Sequence, residues 1–133
     1  MGAENSAGDY ATAADEGNFA TKEAMGRMGR EARAGNYFSF ELKVDPATYN
    51  ILLLTYIGDD KNRKFDILVD GIKLTTEEWN GGKTGKFYDK EYQLPYELTE
   101  GKEKVTVRIE AATSKTAGRI FGARMLITFI AKY

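Results

Sequence analysis

The chain has 133 residues, a length that suits one domain with a sizeable core, and its 42% hydrophobic and 29% charged content is an ordinary globular balance. Nineteen basic residues against twenty acidic ones leave a net charge of −1, so no overall field draws the chain to nucleic acid or to an anionic membrane. It contains neither cysteine nor histidine, which excludes a disulfide framework, a thiol nucleophile, a Ser-His-Asp triad, an imidazole base and any ordinary Cys/His zinc site; carboxylate chemistry and oxygen-ligated calcium remain.

Residues 1–36 are rich in Ala, Gly and small polar residues and read as an irregular arm. Thr21 to Ala34 offers at most a turn or two of helix, because Gly26 and Gly29 each cost about 1 kcal/mol relative to Ala. Arg27, Arg30 and Arg33 recur every third residue; they read as a solvated face or salt-bridge partners, with an anion clamp as the alternative. Met1-Gly2-Ala3-Glu4 has neither a basic n-region nor an apolar h-region, so no signal peptide is read there.

From residue 37 the pattern changes to period two, and residues 37–133 read as one β-sandwich domain. Phe38, Phe40, Leu42 and Val44 alternate with Ser39, Glu41 and Lys43 before Pro46 ends the strand. Asn50 to Ile57 is apolar on both faces, as a covered central strand is. After the polar turn Gly58 to Asn62, Phe65, Ile67 and Val69 form the inner face of another strand, and Asp70-Gly71 predicts a type I′ hairpin into Ile72 to Thr76. Glu77 to Lys86 reads as a loop, Phe87 to Leu94 as a strand, and Pro95 to Leu98 as a tight turn. Lys104 to Ala112 alternates Val105, Val107 and Ile109 with polar residues. The loop Thr113 to Gly118 then leads to a run with Met125, Ile127 and Phe129 on one face, and this last pair of strands is expected to supply the middle of the sandwich. Short strands with turn signals about every ten residues indicate an all-β, antiparallel sandwich.

Few residues point to chemistry. Trp79, beside Gly81-Gly82, is either a platform for the apolar face of a sugar or a loop anchor closing the core. Tyr37, Tyr56, Tyr88 and Tyr92 suit the same role or half-buried packing on a sheet. Asp59, Asp60 and Asn62 offer closely spaced oxygens to calcium, without the further ligands of an EF-hand loop. Glu77-Glu78 and Asp89 with Glu91 are the carboxylates from which a glycosidase pair, about 5 to 10 Å apart, would have to be drawn; the alternative is a solvated face. Arg119, close to the displayed loop 113–118, is the candidate for contact with a ligand or another domain.

The order Lys104-Val-Thr-Val-Arg-Ile-Glu-Ala111, then Thr116-Ala117-Gly118, then Ile120-Phe-Gly-Ala-Arg-Met-Leu126 resembles the C-terminal β-sandwich of large bacterial glycosidases of the β-L-arabinofuranosidase type, glycoside hydrolase family 127. The likeness extends upstream through Phe38 to Val44, Leu54-Thr55-Tyr56, Phe65 to Gly71 and Leu98 to Gly101, about three quarters of the chain. It departs in the displayed loop, where Ala112-Thr113-Ser114 replaces a bulkier, His-containing entry and Arg119 replaces a glycine. The resemblance implies a jelly-roll sandwich like galactose-binding domains and carbohydrate-binding modules. It implies an accessory role without cofactor, in the periplasm or outside the cell, beside a separate helical barrel that carries out hydrolysis with a zinc-associated cysteine and glutamates. The partners it implies are that catalytic domain and a plant-type glycan, with neither nucleic acid nor membrane among them.

Overall fold

The structure, a computed structural model, describes residues 16–128. Its strands are β1 (Glu16–Gly17), β2 (Ala20–Ala24), β3 (Arg27–Ala32), β4 (Tyr37–Lys43), β5 (Tyr49–Ile57), β6 (Arg63–Val69), β7 (Ile72–Trp79), β8 (Phe87–Gln93), β9 (Lys104–Ala111), β10 (Ala117–Ile120) and β11 (Gly122–Thr128). A one-turn helix, α1 (Tyr96–Thr99), lies where the sequence signals a tight turn. Pairing is antiparallel within three sheets: β1-β4-β9-β6-β7, β11-β5-β8 and β10-β3-β2.

The five-stranded and three-stranded main sheets face each other across one core. Phe38, Phe40 and Leu42 of β4, Phe65, Ile67 and Val69 of β6, and Val105, Val107 and Ile109 of β9 line one wall. Leu52, Leu54 and Tyr56 of β5 and Ala123 and Met125 of β11 line the other. Each large side chain buried this way contributes about 1.5–3 kcal/mol, and each belongs to the inner set of its own strand, so the period-two pattern is what closes the sandwich. Asp70 and Gly71 have φ of +49° and +82°, the two left-handed positions of the predicted type I′ turn.

The structure differs from the sequence reading at three places. Residues 20–32, read as part of an irregular arm, form the β2–β3 hairpin, turning at Met25 and Gly26 with φ of +53° and +78°. The first part of that arm, residues 1–15, lies outside the described residues, as does Phe129. The last two strands are not sheet neighbours: β9 is the central strand of the five-stranded sheet, whereas β11 is an edge of the opposite sheet, paired with β5. Between them β10 pairs with β3, so the chain changes sheets instead of making a hairpin. Gly118 permits that passage, since at its φ of +91° a Cβ would lie 2.4 Å from the backbone oxygen of Arg30. Finally, β7 continues through Glu77 to Trp79, held in register by Glu77 opposite Phe65 and Trp79 opposite Arg63.

Candidate functional site

The end of the sandwich where β5 turns into β6 carries a polar cleft of about 440 Å³, walled by the β2–β3 hairpin and the loop 113–116. Five cations, Lys22, Arg33, Arg63, Lys115 and Arg119, face two carboxylates, Glu31 and Asp60. The carboxylates are the floor. Asp60 is 4% exposed and takes Arg119 in a fork: Nε donates to Oδ2 at 3.0 Å, Nη2 to Oδ1 at 2.9 Å, and the Arg119 backbone N–H to Oδ2 at 3.1 Å. These hydrogen bonds, ahead of all other influences, push the Arg119 guanidinium further above its already high range.

Arg63 bridges the two acids. Its Nη1 donates to Glu31 Oε1 at 3.3 Å and to the Gly118 carbonyl at 3.2 Å, while Nη2 lies 3.5 Å from Asp60 Oδ1. Lys22 reaches Glu31 Oε2 from the neighbouring strand at 3.0 Å. The result is a continuous row, Lys22–Glu31–Arg63–Asp60–Arg119, in which each charge is positioned by the next. Lys115 sits on the facing loop, donating to Asn62 Oδ1, and Arg33 makes no ion pair among the described residues. Such a surface offers several N–H donors in fixed directions beside carboxylate acceptors, which is what a polyhydroxylated ligand can use.

Of the residues singled out from sequence, Arg119 lies in this cleft and so does Asp60, in a different role from the one expected. The three oxygens read as calcium ligands do not converge: Asp60 is occupied by Arg119 and Arg63, Asp59 Oδ1 accepts from the Gly85 N–H at 2.6 Å, and Asn62 accepts from Lys115. Among the described residues no group of three or more acidic side chains is placed to hold a metal ion.

The aromatic candidates lie elsewhere and mostly face one another. Trp79 stacks on Tyr56 with centroids 5.1 Å apart and an interplanar angle of 19°, and its Nε1 donates to the Ile57 carbonyl at 2.9 Å. That is the anchor reading of the tryptophan. Tyr88 packs on it at 5.5 Å, and the Tyr88 hydroxyl accepts from the Lys83 N–H. Tyr56 is fully buried, so it has no face for a ligand, a correction that follows from its inward position on β5 opposite Tyr88. Tyr37 is half-buried on the outer face of the five-stranded sheet, its ring covered by the Arg108 guanidinium at 3.7 Å.

Behind this cluster the Tyr56 hydroxyl lies 2.7 Å from that of Tyr92, which donates to Glu77 Oε1 at 2.7 Å; Lys90 Nζ donates to Glu77 Oε2 at 2.8 Å. Since the Tyr92 proton goes to Glu77, Tyr56 donates to Tyr92. Burial raises both phenols well above the usual tyrosine range, and for Tyr92 the hydrogen bond it donates to Glu77 and the Glu77 charge add to it. Glu77 is thereby a structural carboxylate joining β7 to β8. Asp89 accepts from Thr55 Oγ1 at 2.7 Å and Glu78 pairs with Lys64 at 3.9 Å, so the acids weighed for catalysis are distributed among separate partners.

Arg33 entered the sequence reading only as part of an alternative anion clamp, and Lys22, Glu31, Arg63 and Lys115 were not singled out. The only signal was the three-residue spacing of Arg27, Arg30 and Arg33, which the hairpin resolves into alternate faces of β3 and its extension. A second cleft, about 550 Å³ and lined in part by Val44, Pro46 and Ile127, opens at the opposite end of the sandwich. Its four charged residues, Lys43, Asp45, Glu103 and Lys104, form no ion pair with one another among the described residues, so no comparable charge row is built there.

The fold is shared with known sandwiches. A family 35 carbohydrate binding module from Clostridium thermocellum matches with a TM-score of 0.65 at 14% identity, over 94% of this chain and 97% of that one. The family 35 module from Paenibacillus barcinonensis gives 0.65 at 14% identity, over 94% and 98%. A β-(1,4)-mannanase of GH26-CBM35 architecture from Podospora anserina matches at 0.58 and 9% identity, over 99% of this chain but only 29% of that one. This chain therefore has the antiparallel jelly-roll sandwich of those modules, one of which sits in a chain with a glycosidase domain. No curated protein matches by sequence. One sequence family does, over residues 18–126, which span every described strand except β1 and the end of β11: the chain belongs to the family of unknown function DUF6805.

Proposed function

We propose that this chain is a non-catalytic accessory domain of a bacterial glycosidase of the β-L-arabinofuranosidase type, working in the periplasm or outside the cell, packed on the catalytic domain of its parent chain and holding glycan in the charged cleft. The observation that carries the reading is the row of cations fixed over two buried carboxylates at one end of a sandwich of carbohydrate-module type. Arg119 and Arg63 are preorganised by Asp60 and Glu31, so binding a sugar costs little side-chain ordering. Lys115 and Arg33 supply the adaptable donors. Catalysis by carboxylates finds no support in a site whose acids are already committed to guanidinium partners.

The hairpin tip supports the docking half of the proposal. Met25 and Met28 are 66% and 54% exposed, and Met25 occupies a left-handed turn position that favours Asn, Asp or Gly. Two flexible apolar side chains displayed together in this way suit a contact with another protein surface. The alternative, sugar binding through loop aromatics, is weakened by the mutual stacking of Trp79, Tyr56 and Tyr88.

The test is calorimetric titration of the chain with plant arabinan and arabinogalactan, comparing wild type with Lys115→Ala and Arg33→Ala. Saturable binding weakened about tenfold or more by either substitution, roughly 1.4 kcal/mol, supports the cleft. Absence of heat with either glycan would leave docking alone.

A further inference from the structure

The cleft does not end at Arg33. A second hollow of about 300 Å³ adjoins it and shares two of its lining residues, Glu31 and Arg33, before continuing past Ala20 to Asn18, Phe19 and Asn36. The connection follows from strand geometry. Ala20 is opposite Glu31 and Lys22 is opposite Gly29, so Ala20, Lys22 and Glu31 lie on the same face of the β2–β3 ladder, and Arg33 continues that face two residues on. One wall is thus common to both hollows, the β2–β3 ladder and its extension, with the Glu31 carboxylate at the join, 8% exposed and already neutralised by Lys22 and Arg63.

The second hollow has its own polar equipment. Asn18 is tied by its backbone N–H to the Tyr37 carbonyl at 2.9 Å, and Asn36 by its N–H to the Arg33 carbonyl at 2.8 Å and by its carbonyl to the Ala111 N–H at 2.9 Å. Their main chains are fixed. Among the described residues neither side-chain amide makes a hydrogen bond, so each keeps a donor and an acceptor for a ligand. One wall is the Phe19 ring, half-buried and tilted on Phe38 at 5.7 Å. Two adjoining hollows of the size class of small-molecule sites, one lined by paired charges and one in part by amides and an aromatic ring, are chemically different seats on one track.

We infer that the two hollows form a single groove for a glycan oligomer of at least two sugar units, with Arg33 at the junction and Asn18 and Asn36 serving the second unit. The inference rests on the glycan reading above and adds chain length as what the site measures. A ligand ending at the first hollow would leave both amides hydrated, whereas a disaccharide exchanges those waters for hydroxyls across the junction.

Calorimetry with α-1,5-linked arabino-oligosaccharides of one to four units tests it. The expected result is a gain of tenfold or more in affinity from one unit to two. In Asn18→Ala/Asn36→Ala the two-to-one affinity ratio should fall to about one, and so should the ratio in Ala20→Trp, which fills the second hollow without removing a polar group. Thermal melts of both variants establish that the hairpin is still folded. Equal affinity for all four lengths overturns the groove while sparing the glycan reading, as does a length gain that survives in both variants. If none of the four binds and the polymeric arabinan does not bind either, the glycan reading itself fails and takes the groove with it.

Discussion

Replacing Asp60 by Asn removes one charge from the middle of the row while keeping the side-chain volume. In the folded chain Asp60 accepts from three Arg119 nitrogens, with Nε shared between both carboxylate oxygens, and lies 3.5 Å from Arg63, and it and the Arg119 side chain are only 4% and 16% exposed. Breaking a buried ion pair by removing one partner costs about 3–5 kcal/mol, because the other charge is left in a poor solvent. The lower end applies here. Arg63 retains Glu31, Arg119 retains the Glu23 carbonyl at 3.4 Å and the Phe121 ring at 5.2 Å, and the new amide oxygen still accepts one bond. Urea unfolding of Asp60→Asn should therefore show a loss of about 3 kcal/mol at unchanged m-value, roughly a 10 °C drop in Tm for a domain of this size. Asp60→Asn/Arg119→Gln should recover part of that loss, since no unpaired charge then remains, and the cycle should give a coupling above about 1 kcal/mol. A loss below about 1 kcal/mol, or additive single effects, would refute the claim that this pair is a buried, mutually dependent unit.

Alkaline stability should report on the other buried network. Tyr56 and Tyr92 titrate above the unfolded value of 10.0, so the native chain holds their protons where the unfolded chain releases them. Stability from these groups is fully present below pH 10 and falls above it, by about 2.7 kcal/mol per pH unit while both remain protonated. Urea midpoints from pH 8 to 11 measure the slope; Tyr92→Phe should roughly halve it, and an unchanged slope in that variant would assign the effect to other groups. Trp79→Phe keeps the contact with Tyr56 but loses the bond to the Ile57 carbonyl, and should cost about 1 kcal/mol. Trp79→Ala should cost about 3 kcal/mol in the same assay, and a loss below 1 kcal/mol would mean that the ring is not an anchor.

The sandwich was legible where its strands had something apolar to alternate. Phe38-Phe40-Leu42, Phe65-Ile67-Val69 and Val105-Val107-Ile109 each place an inner face against the core, and the structure buries each triplet. The β2–β3 hairpin was illegible for the opposite reason. The buried part of β3 consists of Gly29, Arg30, Glu31 and Ala32, and β2 is largely exposed, so hydrophobic periodicity carries no information there. Its turn is Met25-Gly26 in place of the usual Asn-Gly, which removes the other local signal. The reach of Arg119 toward the site could be guessed from its position after the displayed loop. Asp60 could not be distinguished from a turn residue, because its role depends on a partner 59 positions away.

The residues that hide the hairpin from sequence are the same ones that hold it in place. Sliding β3 by one residue against β2 would turn Glu31 to the other face, away from Lys22 and Arg63, and leave Arg63 with the longer contact to Asp60 as its one ion pair among the described residues. The bond from Arg63 to the Gly118 carbonyl adds β10 to the same lock, and Gly118 cannot carry a Cβ against the Arg30 backbone without moving that strand. Register in the small sheet is therefore specified by charge, where in the two main sheets it is specified by apolar faces. A buried ionic network contributes little net stability compared with an apolar one of equal volume, but it tolerates few alternative arrangements. The charged cleft is accordingly not an addition to a finished fold: the ion pairs that dock the hairpin onto the sandwich also aim Arg63 and Arg119, so a substitution that frees the hairpin must also disperse the donors.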